Sequence, residues 1–353
     1  MGDGQKSKKD VNESMRSPRT VGEREVGFML NDPLPLDCNS FLLSQMKKQV
    51  GDLTASMILC GKWESTRKQM EVPWKSFRNW CVENNIKIIR KKECLDFLVS
   101  LIEENRLSSG TIRSYKNSPA LPWRLIKVDA TNWEFQELIK AAFIRNPPSS
   151  KHMPSWSLDK VLDLLVKEKF SNCSNPFDCL KKAVFLTALA SGNRCSELAA
   201  LNRDSLQFSD SGLVMAVKPG FIYKNQRLGR CPPNIIIPRL ISNEALCPVM
   251  AIRRLLEIDD DVEGALFKNT STGARLSSAS ISQILAKVIH EADPTSIGKG
   301  HDVRKIAASL AWTRGVSPEE ICKRAFWSSS NCFVTKYLVP GLNNPKCIAL
   351  GSC

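Results

Sequence analysis

Two adjacent prolines near the middle of the chain constrain its fold more than any other feature. In Asn146-Pro147-Pro148-Ser149-Ser150-Lys151 the prolines block helix continuation, and the serines and lysine offer nothing to bury. A chain of 353 residues has room for about two domains at roughly 150 residues each. The expected organisation is a flexible basic tail over 1–33, a first domain over 34–146, a linker over 147–156, a second domain over 157–340 and a C-terminal tail over 341–353.

The two halves read differently. From 34 to about 145, Phe41, Leu42, Met46, Leu53, Met57 and Ile58 recur at three- and four-residue steps, the period of buried helix faces. Helices are expected over 65–81 and 92–105, with a further start at Ser109-Gly110-Thr111 where Thr111 is the candidate N-cap. The first domain is therefore all-α. Its Trp63, Trp74, Phe77 and Trp80 are read as core residues rather than platforms for stacked bases. The second domain opens with helices over 158–170, capped by Ser157, and 177–191, ended by Gly192. Three strand-like runs follow at 205–208, 213–217 and 234–238. Cys247-Pro248 then starts a helix, further helices run over 277–291 and 301–313, and Ser317-Pro318-Glu319-Glu320 is a capping box. The fold class is mostly α with a small antiparallel β-sheet.

Charge and cysteine usage narrow the classes. Fifty Lys plus Arg against 36 Asp plus Glu give a net charge of +14, which fits a polyanionic partner and equally fits plain solubility. Residues 1–150 hold 24 of the basic and 18 of the acidic groups, so the excess is spread over both halves rather than confined to a tail. Lys6, Lys8 and Lys9 read as part of a solvated tail. The N-terminus lacks the apolar core of a signal peptide, and Lys6 stands where a myristoylation site needs Ser or Thr. No apolar run approaches the ~18 residues that span a bilayer, so no membrane partner is expected. The thirteen cysteines form no Cys-x-x-Cys pair, and His152, His290 and His301 are far apart. No metal site is expected, and the cysteines are read as reduced, small core hydrophobes.

Four features of the second half carry chemistry. Ser191-Gly192-Asn193-Arg194-Cys195-Ser196-Glu197-Leu198 puts an arginine just after a helix-ending glycine, with Glu197 one turn on to orient its guanidinium. His301-Asp302-Val303-Arg304 sets an imidazole and a guanidinium one turn apart, after Gly298-Lys299-Gly300, where a helix N-terminus is suited to an anion. Lys218 and Lys224 lie in the connection between two strands, beside the Pro219-Gly220 turn. Trp327 and Tyr337 follow near the C-terminus, with 328–331 suited to a turn and a new helix start. Singly, each has an ordinary structural reading as a salt-bridge partner, a chance pair, solvated lysines or a core ring.

In the order Arg…Lys…His-x-x-Arg…Trp…Tyr, the chain resembles the tyrosine recombinase family, the phage-integrase type. "SGNRCSEL" is similar to that family's first motif, with Asn193 where a hydrophobic residue is usual. "HDVRKIAASLAWTRGVSPEEICKRAFWSSSNCFVTKYL" is similar to its second, and "STRKQMEVPWKSFRNWC" and "LSSGTIRSY" look like its core-binding domain. The likeness spans about residues 40–340, and its second motif looks most like recombinases of eukaryotic mobile elements, the DIRS-like and crypton groups.

The resemblance implies an all-α core-binding domain followed by a tyrosine-recombinase catalytic domain, acting as a homotetramer on double-stranded DNA without metal or nucleotide cofactor. It implies a covalent 3′-phosphotyrosine intermediate. Tyr337 is the nucleophile, Arg194 and Arg304 grip the non-bridging oxygens, and His301 is base or phosphate ligand. Trp327 packs and donates its indole N–H, and Glu197 orients Arg194. A lysine protonates the leaving 5′ oxygen; Lys224 is preferred to Lys218 because it lies further into the connection. Arg113, Lys116 and Lys218 are the expected DNA contacts. The location follows as the nucleus in a eukaryotic host and otherwise the cytoplasm, with the DNA. The alternatives are a catalytically inactive DNA-binding derivative of a mobile-element recombinase and, less well supported, a type IB topoisomerase.

Overall fold

The computed structural model describes residues 27–30, 33–61, 64–103, 107–147, 154–171, 175–226, 229, 233–259, 264–327 and 329–339. Trp63, the prolines' neighbours at 148–153 and the tail beyond 340 lie outside these, as do the N-terminal lysines. The chain divides into two compact units, Met1–Ser150 and Lys151–Cys353.

The first unit contains helices α1 (Cys38–Val50), α2 (Asp52–Cys60), α3 (Glu64–Glu83), α4 (Lys91–Glu103), α5 (Ser109–Asn117), α6 (Ala120–Leu125) and α7 (Trp133–Arg145). It is not purely helical, and its order begins before residue 34. Strand β1 (Phe28–Met29) pairs antiparallel with β2 (Ile88–Ile89) in front of α4. The core is a chain of rings: Phe41 lies 4.6 Å from Trp74, Phe77 is 5.1 Å from Phe97 and 5.5 Å from Trp123, and Trp123 is 5.9 Å from Phe135. Trp74 and Phe77 are fully buried and Trp80 half-buried. Helix α5 is capped by Ser108 rather than Thr111; the Ser108 hydroxyl accepts the Thr111 N–H. Both are small hydroxyl residues, and the one in extended conformation takes the cap.

The second unit is built around α10 (Pro176–Ser191), which is buried from Asp178 to Ser191. A helix apolar on nearly every side needs partners all round, and α10 packs against α12 (Pro248–Ile258), α13 (Ser278–Ala292) and α14 (Gly300–Thr313). Before it, the expected helix over 158–170 is two, α8 (Leu158–Leu165) and α9 (Glu168–Ser171). The break turns Phe170 into the core, with the Lys169 and Lys181 ammoniums 5.3 and 5.1 Å from its ring centroid. Helix α11 (Cys195–Ala199) leads to a sheet of β3 (Gln207–Phe208), β4 (Gly212–Met215) and β5 (Ile235–Pro238), antiparallel in the order β3-β4-β5. Gly212 pairs with Pro238 and Met215 with Ile235; a Cβ on Gly212 would collide with the Ile237 carbonyl. Helices α15 (Pro318–Arg324), capped by Ser317, and α16 (Ser330–Lys336) complete the unit.

Cysteine usage departs from the expectation at one position. Cys38, Cys60, Cys81, Cys94, Cys195, Cys247 and Cys322 are free thiols, but Cys179 on α10 is disulfide-bonded. Burial pushes the core thiols Cys38 and Cys81 up to about 12, which disfavours the thiolate.

Candidate active site

Helix α10 ends where Gly192 adopts the left-handed conformation at φ 60°, its N–H donating to the Ala188 carbonyl. Such a C-cap costs a β-carbon-bearing residue more than glycine. The turn delivers Arg194 to the N-cap of α11, and Glu197 closes back on it. One carboxylate oxygen accepts the Arg194 backbone N–H at 2.8 Å, and the other accepts Nη1 of the same residue at 2.7 Å. Glu197 is itself buried.

Arg304 enters from α14 and is the hub of the site. Its Nη1 donates to the Gly192 carbonyl at 2.7 Å and to Glu197 at 3.4 Å, and Nη2 donates to the Ala325 carbonyl at 2.7 Å. One guanidinium thus ties together the turn after α10, helix α14 and the turn after α15. Burial lowers its pKa to about 10, with Glu197 pulling it back up and Arg194 lowering it further; it stays charged at neutral pH. Its Nε is buried with no hydrogen-bond partner among the described residues. Two guanidiniums share one carboxylate here, leaving an excess of one positive charge suited to an anion.

The turn after α15 supplies the aromatic floor. Phe326 holds φ 52°, a left-handed conformation that is rare for a bulky residue. The next residue, Trp327, is 2% exposed, with the Arg304 guanidinium 4.8 Å from its ring centroid. Tyr337, the C-cap of α16, stacks on Trp327 at 4.2 Å and lies 5.8 Å from the Arg304 guanidinium. Tyr337 is among the neighbours that raise the pKa of Arg304 against the effect of burial. The chain just after Tyr337 is tied to α14 through Ser309, whose hydroxyl accepts the Val339 N–H at 2.8 Å while its own proton is shared between the Lys305 carbonyl at 2.8 Å and the Tyr337 carbonyl at 3.3 Å.

Arg194, Glu197, Arg304, Trp327 and Tyr337 therefore form one continuous set of contacts. His301 is exposed on the first turn of α14, one turn before Arg304, and Lys224 and Lys218 are exposed in the β4–β5 connection. Three further details bear on these residues. At the N-terminus of α14, Asp302 accepts the N–H of the N-cap residue Lys299 at 3.0 Å. Gly300 answers to packing: a Cβ there would lie 2.7 Å from the Ser282 carbonyl on α13. Trp327 stacks on both Phe333 and Tyr337, and its Nε1 is buried.

In the first unit Arg113 is exposed beside a cleft lined by Thr66, Gln69, Ser114 and Asn117. Lys116 is not a surface cation. It is buried, its ammonium donates to the Ala130 carbonyl at 3.3 Å, and burial lowers its pKa, with Arg113 adding to the shift.

Several site residues escape the motif reading. Tyr223 is buried against Phe326 at 5.4 Å, and desolvation followed by the Glu197 charge pushes it up to about 12. Asn225 donates its side-chain amide to the Phe326 carbonyl at 3.0 Å. Asn193 is buried with Nδ2 unpartnered among the described residues, lining a cleft with Tyr223 and Phe326. The scarcity of tyrosine, three in the chain, was the one available signal for Tyr223.

No protein-family model and no curated protein matches the chain. Among solved structures, it is similar to the XerH site-specific recombinase bound to palindromic difH substrate, a post-cleavage complex. That match has 14% identity over 77% of this chain and 75% of that one, with a TM-score of 0.55. The Tn1549 transposon integrase in complex with transposon right end DNA matches at 11% identity over 85% and 94%, TM-score 0.53. A lambda integrase tetramer bound to a Holliday junction matches at 15% over 88% and 78%, TM-score 0.52. The fold, mostly helical with small antiparallel sheets, is that of the tyrosine recombinases.

Proposed function

We propose that the chain is a site-specific DNA recombinase that cuts and rejoins DNA through a covalent 3′-phosphotyrosine. The observation that carries this reading is the contact chain from Arg194 through Glu197 and Arg304 to Trp327 and Tyr337, assembled from four separate segments. In the proposed reaction the Tyr337 oxygen attacks the scissile phosphorus and the P–O5′ bond breaks. The phenolic proton leaves toward His301 or solvent, and the departing 5′ oxygen takes a proton from Lys224. Charge gathering on the non-bridging oxygens is met by Arg194 and Arg304, whose one shared carboxylate leaves room for an anionic partner. Removal of one such donor typically costs ~10²–10³ in rate.

The reading extends to a homotetramer on double-stranded DNA, supported by the similar lambda integrase assembly. The form of the second motif favours a eukaryotic mobile-element enzyme of the DIRS-like or crypton kind, which would work in the nucleus. The test is a nicked suicide duplex carrying a sequence that the protein selects from a randomised pool. The expected result is an SDS-resistant protein–DNA adduct that Tyr337→Phe abolishes. Absence of adduct from the wild type, with selective binding intact, would instead establish the inactive DNA-binding derivative.

A further inference from the structure

The connection between β4 and β5 carries the lysine assigned to proton delivery, and its residues 221–226 are anchored to the rest of the unit. Tyr223 turns inward: its ring is buried, edge-on to Phe221 at 5.2 Å and to Phe326 at 5.4 Å. Lys224 turns outward and is exposed. Asn225 turns inward again, its Nδ2 donating to the Phe326 carbonyl at 3.0 Å across 101 residues of chain. A local turn closes the segment, with the Gln226 N–H donating to the Tyr223 carbonyl at 2.8 Å and the Tyr223 N–H to the Gln226 side chain at 3.0 Å. The alternation leaves Lys224 as the one side chain of the three that faces solvent.

Phe326 is the fixed point of this arrangement. It keeps a left-handed φ of 52°, a conformation that persists only where its surroundings enforce it. It is bonded to Ala325, whose carbonyl holds Arg304, and to Trp327, on which Tyr337 stacks. The Asn225 bond therefore joins the lysine segment to the same turn that fixes the second arginine and the nucleophile's platform. Lys218, by contrast, is attached at the strand end, its N–H donating to the Ala200 carbonyl at 2.8 Å.

We infer that Asn225 is a positioning residue, which holds Lys224 at the site by bonding the β4–β5 connection to the Phe326 carbonyl. The inference rests on the recombinase reading above, and it selects Lys224 over Lys218 by an attachment rather than by loop length. In the step concerned, the Tyr337 Oη–P bond forms as P–O5′ breaks, and a proton passes from the Lys224 ammonium to O5′. The neutral amine then takes a proton back from solvent. When the bridging 5′ oxygen is replaced by sulfur, the leaving thiolate, whose conjugate acid is far stronger than an alcohol, departs without that proton.

The experiment compares cleavage of the selected duplex with 5′-oxygen and with bridging 5′-sulfur at the scissile position. Asn225→Ala and the isosteric Asn225→Asp, which lacks the N–H donor, are expected to slow the oxygen substrate about 10- to 100-fold, and Lys224→Ala at least as much. All three are expected to cut the sulfur substrate within about threefold of the wild type, since proton transfer is what they impair. Equal losses on both substrates, loss of folding in both Asn225 variants, or wild-type rates on oxygen would overturn the positioning role. Failure of the wild type to cut either substrate would instead overturn the recombinase reading itself, so the two failures are told apart by the wild-type lanes.

Discussion

Replacing Arg304 with lysine keeps the charge and removes the fork, and so isolates what the guanidinium geometry contributes. In the wild type Arg304 donates to the Gly192 and Ala325 carbonyls at 2.7 Å each and to Glu197 at 3.4 Å, and it lies 4.8 Å from the Trp327 ring centroid. A lysine head can reach one of these partners but not carbonyls on two sides at once. Hydrogen bonds to charged groups are worth about 1.5–3 kcal/mol each. A desolvated cation–π contact adds about 2 kcal/mol. Losing one strong carbonyl bond and most of the ring contact gives a destabilisation of ~4 kcal/mol. For a domain of this size that corresponds to a fall in melting temperature of about 8–16 °C. The assay is thermal unfolding of the DNA-free protein followed by circular dichroism, with Arg304→Gln alongside. The loss must appear without DNA, because every contact counted lies within the chain. If Arg304→Lys melts within about 2 °C of the wild type, the three-way tie is not what holds these turns together.

Trp327→Phe should retain most adduct formation while Trp327→Ala loses it, because the ring acts as a stacking surface for Tyr337; abolition by Phe would assign the function to the indole N–H. Ser309→Ala removes the acceptor of the Val339 N–H, which should cost about 1–2 kcal/mol and slow adduct formation without changing DNA affinity. Arg113→Ala should weaken DNA binding and reduce the salt slope by about one, whereas Lys116→Met should leave both unchanged in a titration across ionic strength, because that ammonium is buried against Ala130. Lys182 donates to the Phe170 carbonyl, and burial lowers its pKa from 10.5 to about 8, with Arg254 adding to the effect. Protonation is thus disfavoured in the folded state, so the wild type should gain stability as pH rises from about 8 to about 10.5. Lys182→Met should flatten that rise in denaturant titrations.

The parts of the site legible in the sequence are those fixed by local geometry. Gly192 reads as a helix end because a left-handed turn favours it, and Glu197 faces Arg194 because they lie one helical turn apart. Ser317 caps α15 for the same local reason. What sequence reading misplaced depends on contacts made at a distance. Gly300 reads as part of a glycine-rich helix start, but its lack of a side chain is also demanded by Ser282 on the distant α13. Lys116 looks like a DNA contact in a basic stretch, but the Ala130 carbonyl fourteen residues away claims it. Helix α8 ends early because Phe170 is wanted by a core that the local period does not encode.

The same distinction accounts for Arg304, which the motif presents as a group waiting for phosphate. In the folded chain it already has three protein acceptors, and two of them are backbone carbonyls on turns that carry Arg194 and Trp327. A residue that binds only substrate would leave its neighbours' positions to other contacts. This one sets them, so its loss would displace the rest of the site. Any measurement of activity at Arg304 must therefore be read beside its melting temperature, while Arg194 has 19% of its side chain exposed and, among the described residues, Glu197 as its side-chain partner, so the proposed phosphate contact is better separated from folding there.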